Sequence, residues 1–353
     1  MSQPKFYIPS LDGIRAIAFL IVFLSHAGLN YIIPGGFGVT IFFFLSGYLI
    51  TTLLRKEYEH YQTINIQSFY LRRILRIWPV FYLVLILGTI LTLLGFFKGQ
   101  IYLHGFLSQF FHYSNYYSIV AHTEGIAMGS GVYWSLAVDE HFYLLFPLFY
   151  LFLRRMNVSP RRQAIIFWLL CLVVLIWRCV LVFSLGASPD RIFFASDTRI
   201  DMFLYGCALG VIHNPMLDQQ YASEKLWKYL FLPLGIMGIL FSMMYRPPEF
   251  RETFRYTIQA LSLYPIFITA IRFPNFGFFQ FLNLRWVRFI GLVSYSLYLV
   301  HHTVILAIQM YLPNLPMILQ GIVSILASFI ISCILYYFIE SPIAKLRKKF
   351  SRS

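Results

Sequence analysis

Apolar stretches of about twenty residues, the length needed to cross a bilayer, recur along the chain and are separated by short segments rich in glycine, proline and charge. Ten such stretches fall at about 11–31, 36–54, 77–97, 133–153, 163–184, 197–213, 227–245, 254–272, 289–311 and 317–339. The breaks between them carry helix-ending residues: Pro34-Gly35-Gly36, Ser159-Pro160, Pro247-Pro248, Pro313 and Pro316. This pattern predicts an all-α polytopic membrane protein of about ten spanning helices. The segment at about 98–132 differs. It places Tyr102, Phe106, Phe110, Phe111, Tyr113, Tyr116 and Tyr117 among polar residues, which predicts a helix lying at the membrane interface.

Composition supports the pattern. Hydrophobic residues make up 59% and charged residues 12% of 353, about half the charge of a soluble domain. Soluble, disordered, collagen-like and disulfide-scaffold classes are thereby excluded. Cys171, Cys179, Cys207 and Cys333 lie inside apolar runs without ligand spacing, so neither a metal site nor a disulfide framework is predicted. The net charge of +14 flanks apolar runs and forms no patch for nucleic acid. With both termini cytoplasmic, 20 of the 28 Lys and Arg fall in inner loops and tails and five in outer loops, while Arg15, Arg178 and Arg199 lie at membrane depth. That bias predicts the orientation. The first run, with no basic region before it and no clean small-residue site after it, reads as a retained span. The chain reads as one membrane-embedded domain over 1–353, with a short basic cytoplasmic tail at 346–353.

Ionisable residues inside a bilayer are costly and mark function or structure-forming pairs. The first run carries Asp12, Arg15 and His26. Eleven steps at 100° bring Arg15 and His26 to within about 20° on the helical wheel, and Asp12 is an i,i+3 partner for Arg15. Arg73 and Arg76, also three apart, present two guanidinium forks suited to phosphate oxygens; anchoring to lipid headgroups is the plainer reading. Asp139, Glu140 and His141 open the fourth run. Spacing leaves open which acid faces the interior. Asp197, Arg199 and Asp201 read as a partly buried charge network, and His301 and His302 as histidines satisfied by neighbouring helices or lining a cavity.

At these residues the chain resembles the acyltransferase-3 family of integral membrane acyltransferases. The likeness runs through Leu11-Asp12-Gly13-Ile14-Arg15-Ala16 with His26, Gly36-Phe37-Gly38-Val39, Phe43-Phe44-Leu45-Ser46-Gly47-Tyr48 and Arg72-Arg73-Ile74-Leu75-Arg76. It continues in Trp134-Ser135-Leu136 through Glu140 to Phe142-Tyr143, Arg199-Ile200-Asp201, Ser294-Tyr295-Ser296-Leu297-Tyr298 with His301, and Ile339-Glu340-Ser341-Pro342. These cover about residues 10–345. The resemblance implies ten spans in a bacterial plasma (inner) membrane, and acyl transfer, usually acetyl, from cytoplasmic acyl-CoA to a hydroxyl of a surface carbohydrate or glycolipid. It makes His26 catalytic, with Glu140 and Asp12 beside it, and assigns Arg15, Arg73 and Arg76 to the coenzyme. Trp134, Ser135 and His301 are expected to contact substrate. Asp139, His141 and His302 depart from residues frequent in the family. The chain reads as a stand-alone form with no appended esterase-like domain.

A histidine suits deprotonation of an alcohol near neutral pH, and an already activated thioester needs no metal. The rival reading is a proton-coupled transporter with Arg15, His26 and Glu140 lining its cavity. No paired short or interrupted spans favour it.

Overall fold

The computed structural model describes residues 8–347 and Phe350; Lys348, Lys349 and 351–353 of the basic tail lie outside the described residues. In chain order the helices are α1 (Pro9–Leu24), α2 (Gly35–Tyr61), α3 (Ile66–Leu93), α4 (Leu103–Phe110), α5 (Ser114–Ala121), α6 (Trp134–Arg155), α7 (Pro160–Cys179), α8 (Pro189–Phe194) and α9 (Asp201–Val211). They continue with α10 (Glu224–Leu226), α11 (Leu232–Met244), α12 (Pro248–Glu252), α13 (Phe254–Arg272), α14 (Phe279–Leu282), α15 (Arg285–Leu292), α16 (Ser294–Tyr311), α17 (Met317–Leu335) and α18 (Ser341–Arg347). Single π turns extend α1 to Leu29 and α7 to Ser184, and join α10 to α11 and α17 to α18. No strand occurs among the described residues.

Local chemistry sets the helix starts. The Asn65 side chain accepts from the Ser68 N–H and opens α3 eleven residues before the apolar run begins. Ser159 accepts from the Arg162 N–H, with Pro160 in the first turn of α7. Arg72, Arg73 and Arg76 therefore sit within α3, on a helix that continues into the apolar run.

Counted through their π turns, seven helices among the described residues are long and apolar enough to cross a membrane, and α15 with α16 makes an eighth as one bent pair. Leu169, Leu172, Val173 and Ile176 on α7, and Ile318, Leu326 and Ile330 on α17, are exposed, as faces turned to lipid would be. Helices occupy all ten sequence stretches, with three differences: α13, in the eighth, has 19 residues but is not among the helices apolar enough to cross, and the other two concern the sixth and the ninth. The sixth stretch yields only α9, whose 11 residues rise about 16 Å. Every residue of α9 is buried, and its backbone touches that of α2: a Cβ at Gly206 would stand 2.0 Å from the Phe44 carbonyl oxygen, and one at Gly47 2.0 Å from that of Phe203. The ninth stretch breaks at Val293, where α15 and α16 meet at 71°. α15 lies across α1 so closely that a Cβ at Gly291 would fall 1.8 Å from the Asp12 carbonyl oxygen.

The segment at 98–132 corrects the single interfacial helix. It folds as α4 and α5 around a turn at His112, whose φ is 56°. Ser108, Gln109, Asn115 and Ser118 point inward, where Gln109 Nε2 donates to Ser130 Oγ at 2.7 Å and Asn115 Nδ2 to Ser196 Oγ at 3.0 Å. The aromatic residues suggested an interface, but this polar stripe gives the segment a packed underside.

The presumed network at 197–201 also separates. Asp201 pairs with Arg178 at 2.8 Å, both fully buried, while Asp197 takes Arg191 and the Trp177 indole. Arg199 joins neither.

Candidate functional site

Two adjoining cavities open beside the N-terminal half of α1. The deeper offers about 110 Å³ of free space, room for a slender chain and not for a bulky ligand. Its polar lining is Arg15, Ser46, Arg73, Arg76, Ser135, Asp139, Glu140, Tyr143, Ser294, Tyr295 and Tyr298. The second is lined by Asp12, Arg15, Arg76, Tyr336 and Glu340 among apolar residues. Arg15, Leu49 and Arg76 belong to both, so the two share a wall bearing two guanidinium groups. Along α2 the deeper cavity runs from Ile50 to Val39, eleven residues or about 16 Å.

Spacing led to this arrangement in part. Arg15 Nη1 reaches Asp12 Oδ1 at 2.7 Å, the i,i+3 pair anticipated. The Arg73 guanidinium lies 3.6 Å from the centre of the Tyr143 ring, a cation–π stack. Tyr143 OH donates to Asp139 Oδ1 at 2.8 Å and lies 3.0 Å from Ser46 Oγ. Asp139 and Glu140 both line the cavity. They differ in satisfaction: Asp139 holds Tyr143, whereas Glu140 Oε1 is buried with no hydrogen-bond partner among the described residues. A buried carboxyl oxygen in that state calls for a ligand, water or a proton of its own.

His26 lies one turn beyond the deeper cavity. Tyr298 lines that cavity, and three residues along α16 His301 meets His26: His26 Nδ1 and His301 Nε2 are 2.9 Å apart, with the ring planes within 21° of each other and the centres 5.2 Å apart. His302 packs on the other part of the His26 ring at 4.6 Å. His26 belongs to the π turn at Ser25–Leu29. A π turn admits an extra residue, so it re-aims the side chain from its ideal-wheel position, and such turns are frequent at functional sites. Gly28, at φ 106°, closes the turn under the Met317 side chain.

The expected substrate contacts divide. Ser135 Oγ lies in the cavity, 2.7 Å from Tyr298 OH. Trp134 is buried against Phe43, Phe193 and Phe194. His301 is fully buried, and both its ring nitrogens face protein atoms, Nδ1 lying 2.8 Å from the Tyr298 carbonyl oxygen; no ring nitrogen is left to touch an acceptor.

Tyr143 and Tyr298 were named in the family likeness without a role. Tyr143, four residues after Asp139, and Tyr298, three before His301, share helix faces with residues that had one. Arg199 could not be placed from spacing. It is fully buried between the rings of Tyr256 at 4.1 Å and Phe193 at 5.4 Å, and Nε and Nη1 have no partner among the described residues.

A helical membrane protein whose arginines and carboxylates converge on one cavity, with paired histidines a helical turn beyond it, is a class in which the bilayer-embedded polar groups carry the chemistry. The chain belongs to the acyltransferase-3 family: the family profile, described as an acyltransferase domain, matches residues 8–337. It is 31% identical over 96% of its length to a peptidoglycan O-acetyltransferase of Listeria monocytogenes, of which it covers 56%. It is 32% identical over 98% of its length to an O-acetyltransferase of Staphylococcus aureus, covering 58% of that chain. A putative peptidoglycan O-acetyltransferase of Bacillus subtilis is 30% identical over 97%, with 56% of its own length covered. The chain thus spans a little over half the length of these curated relatives. No solved structure matches it.

Proposed function

We propose that the protein is a plasma-membrane O-acetyltransferase that takes an acetyl group from acyl-CoA and places it on a hydroxyl of a cell-wall carbohydrate. The relatives' names make peptidoglycan the first acceptor to test. Ten spans with cytoplasmic termini belong to the same proposal. Family membership weighs against the transporter reading.

The observation that carries the reading is a cavity lined by three arginines that reaches Tyr298, one helical turn from the His301 that meets His26. Arg15 and Arg76 stand on the wall the two cavities share and Arg73 lines the deeper one; together they would bind the coenzyme phosphates, for which guanidinium forks are suited. Its pantetheine arm would follow the deeper cavity towards Ser135 and Tyr298, delivering the thioester one turn below His26. The acceptor hydroxyl would arrive from the C-terminal end of α1.

The His26 imidazole takes the hydroxyl proton as the acceptor oxygen bonds to the thioester carbonyl carbon. Collapse of the tetrahedral species breaks the carbon–sulfur bond, and the CoA thiolate leaves with the proton returned from His26. Ester and free CoA are the products, and His26 ends as it began.

The test uses purified protein in proteoliposomes with acetyl-CoA on the α1 N-terminal side and peptidoglycan fragments on the other, read by CoA release and by acetyl-ester mass. Loss of a general base costs about 10²–10⁴-fold in rate, so His26→Asn is expected to lower transfer at least about a hundredfold per folded molecule while coenzyme binding persists. A His26→Asn protein within about threefold of wild type would remove the histidine from the chemistry.

A further inference from the structure

The pair His26–His301 fixes more than a distance. The Tyr298 carbonyl oxygen, 2.8 Å from His301 Nδ1, can only accept, so that nitrogen carries the hydrogen. His301 is fully buried, with the edge of Phe19 against its ring at 5.6 Å and Phe23 at 6.4 Å. Among the described residues no carboxylate pairs with it, and an unpaired charge there would be costly, so the ring is neutral. A neutral imidazole bearing hydrogen on Nδ1 has a bare lone pair on Nε2. The 2.9 Å contact to His26 Nδ1 is then a hydrogen bond that His26 donates. Neutral His26 accordingly keeps its hydrogen on Nδ1 and presents an unprotonated Nε2.

We infer that His301 is the positioning residue of the proposed reaction: by accepting from His26 Nδ1 it holds His26 in the one tautomer whose Nε2 can take the acceptor's proton. This rests on His26 being the base. The chain Tyr298 C=O, His301, His26 is built from one turn of α16 and the π turn of α1, so the backbone itself sets the tautomer. When His26 Nε2 accepts the proton, its Nδ1–H bond to His301 becomes charge-assisted and stronger, which steadies the imidazolium until CoA takes the proton away. His302 packs on the same ring at 4.6 Å, and its own Nδ1 lies 3.2 Å from the Gly129 carbonyl oxygen; it walls the ring without competing for His26 Nδ1.

The experiment compares His301→Leu, His301→Gln and His301→Ala with His26→Asn in the full chain, measuring acetyl transfer per folded molecule and the KM for acetyl-CoA. Leu fills the space without an acceptor and should lower kcat about a hundredfold, at the low end of general-base effects, with KM for acetyl-CoA unchanged. The Gln amide oxygen can accept from His26 Nδ1, so this variant should remain within about tenfold of wild type. Added imidazole should restore part of the His301→Ala activity, which a packing role would not produce. If His301→Leu keeps wild-type kcat while His26→Asn is inactive, the inference about His301 fails and the base survives. If Leu and Gln lose activity alike and imidazole rescues nothing, His301 is a packing residue. If His26→Asn itself is active, the proposed reaction fails first.

Discussion

Among single residues, the two neighbouring acids of α6 separate by what their oxygens already do. Asp139 accepts from Tyr143 OH, and an asparagine oxygen accepts equally well, so Asp139→Asn is expected to stay within about threefold of wild-type transfer. Glu140 Oε1 is buried without a partner among the described residues. Its amide can neither hold a proton nor a charge, and we expect Glu140→Gln to lose at least about tenfold, measured per folded molecule. Arg73 has two tasks, facing the cavity and stacking on Tyr143. Loss of two charge-assisted contacts in Arg73→Ala with Arg76→Ala should raise the KM for acetyl-CoA about tenfold or more. Lysine at Arg73 should restore little, because it brings charge without the planar fork. An unchanged KM in the double variant would make these arginines topological anchors only.

At the level of elements, α9 is half a span held in place by backbone contact. Its length gives it too little surface to hold itself in a bilayer, so the close approach to α2 at Gly47 and Gly206 replaces what length does elsewhere. Overpacking typically costs about 1–3 kcal/mol, and a carbonyl 2.0 Å from the new Cβ leaves no soft neighbour to yield. Gly206→Ala is therefore expected to lower the Tm of the detergent-solubilised protein and its folded yield. Gly88→Ala in α3, where the nearest atom would be 3.8 Å away, is the control and should be neutral or slightly stabilising, since alanine favours a helix. The bend at Val293 has a comparable origin. Because α15 crosses α1 at backbone contact, α16 can begin at Ser294, and this start brings Tyr298 to the cavity and His301 to His26.

Across the whole molecule, the proposed orientation, both ends cytoplasmic and the segment 98–132 external, rests on the basic bias of twenty to five. Impermeant thiol labelling of single added cysteines should mark a site near 115 from outside and one near 350 only after permeabilisation; the reverse pattern would overturn the orientation. A second global feature ties α2 to the loop after α9. Arg55 donates to Asp218 through Nη1 at 3.0 Å and Nη2 at 2.5 Å, and to the Val211 carbonyl at the end of α9 at 3.1 Å. Partial burial pushes the Asp218 carboxyl up, but the hydrogen bonds from Arg55 and the Asn214 N–H outweigh it and hold the carboxyl below its ordinary value. A depressed carboxyl stabilises the fold above its unfolded pKa of about 4 and loses that contribution as pH falls through the folded value. Wild-type Tm in detergent should therefore fall on acidification below about pH 4 more steeply than that of Asp218→Asn.

The apolar periodicity was sufficient for an all-helical membrane protein with helices in ten places, because burying a backbone in lipid leaves few alternatives to a helix. It also made Arg15, His26 and the pair Asp139 and Glu140 conspicuous, since charge in an apolar run stands out whatever the fold; the choice of Glu140, and the coenzyme role of Arg73 and Arg76, came with the family resemblance. It could not show that the sixth run makes only half a span, that the ninth breaks at Val293, or that 98–132 folds over a polar underside. Each of these depends on a partner distant in the chain: Phe44 for Gly206, Asp12 for Gly291, Ser130 for Gln109. The same holds for chemistry. Sequence supplied His26 as a group able to exchange a proton, but which nitrogen carries that proton is decided by His301, 275 residues away, and so by how α16 packs on α1.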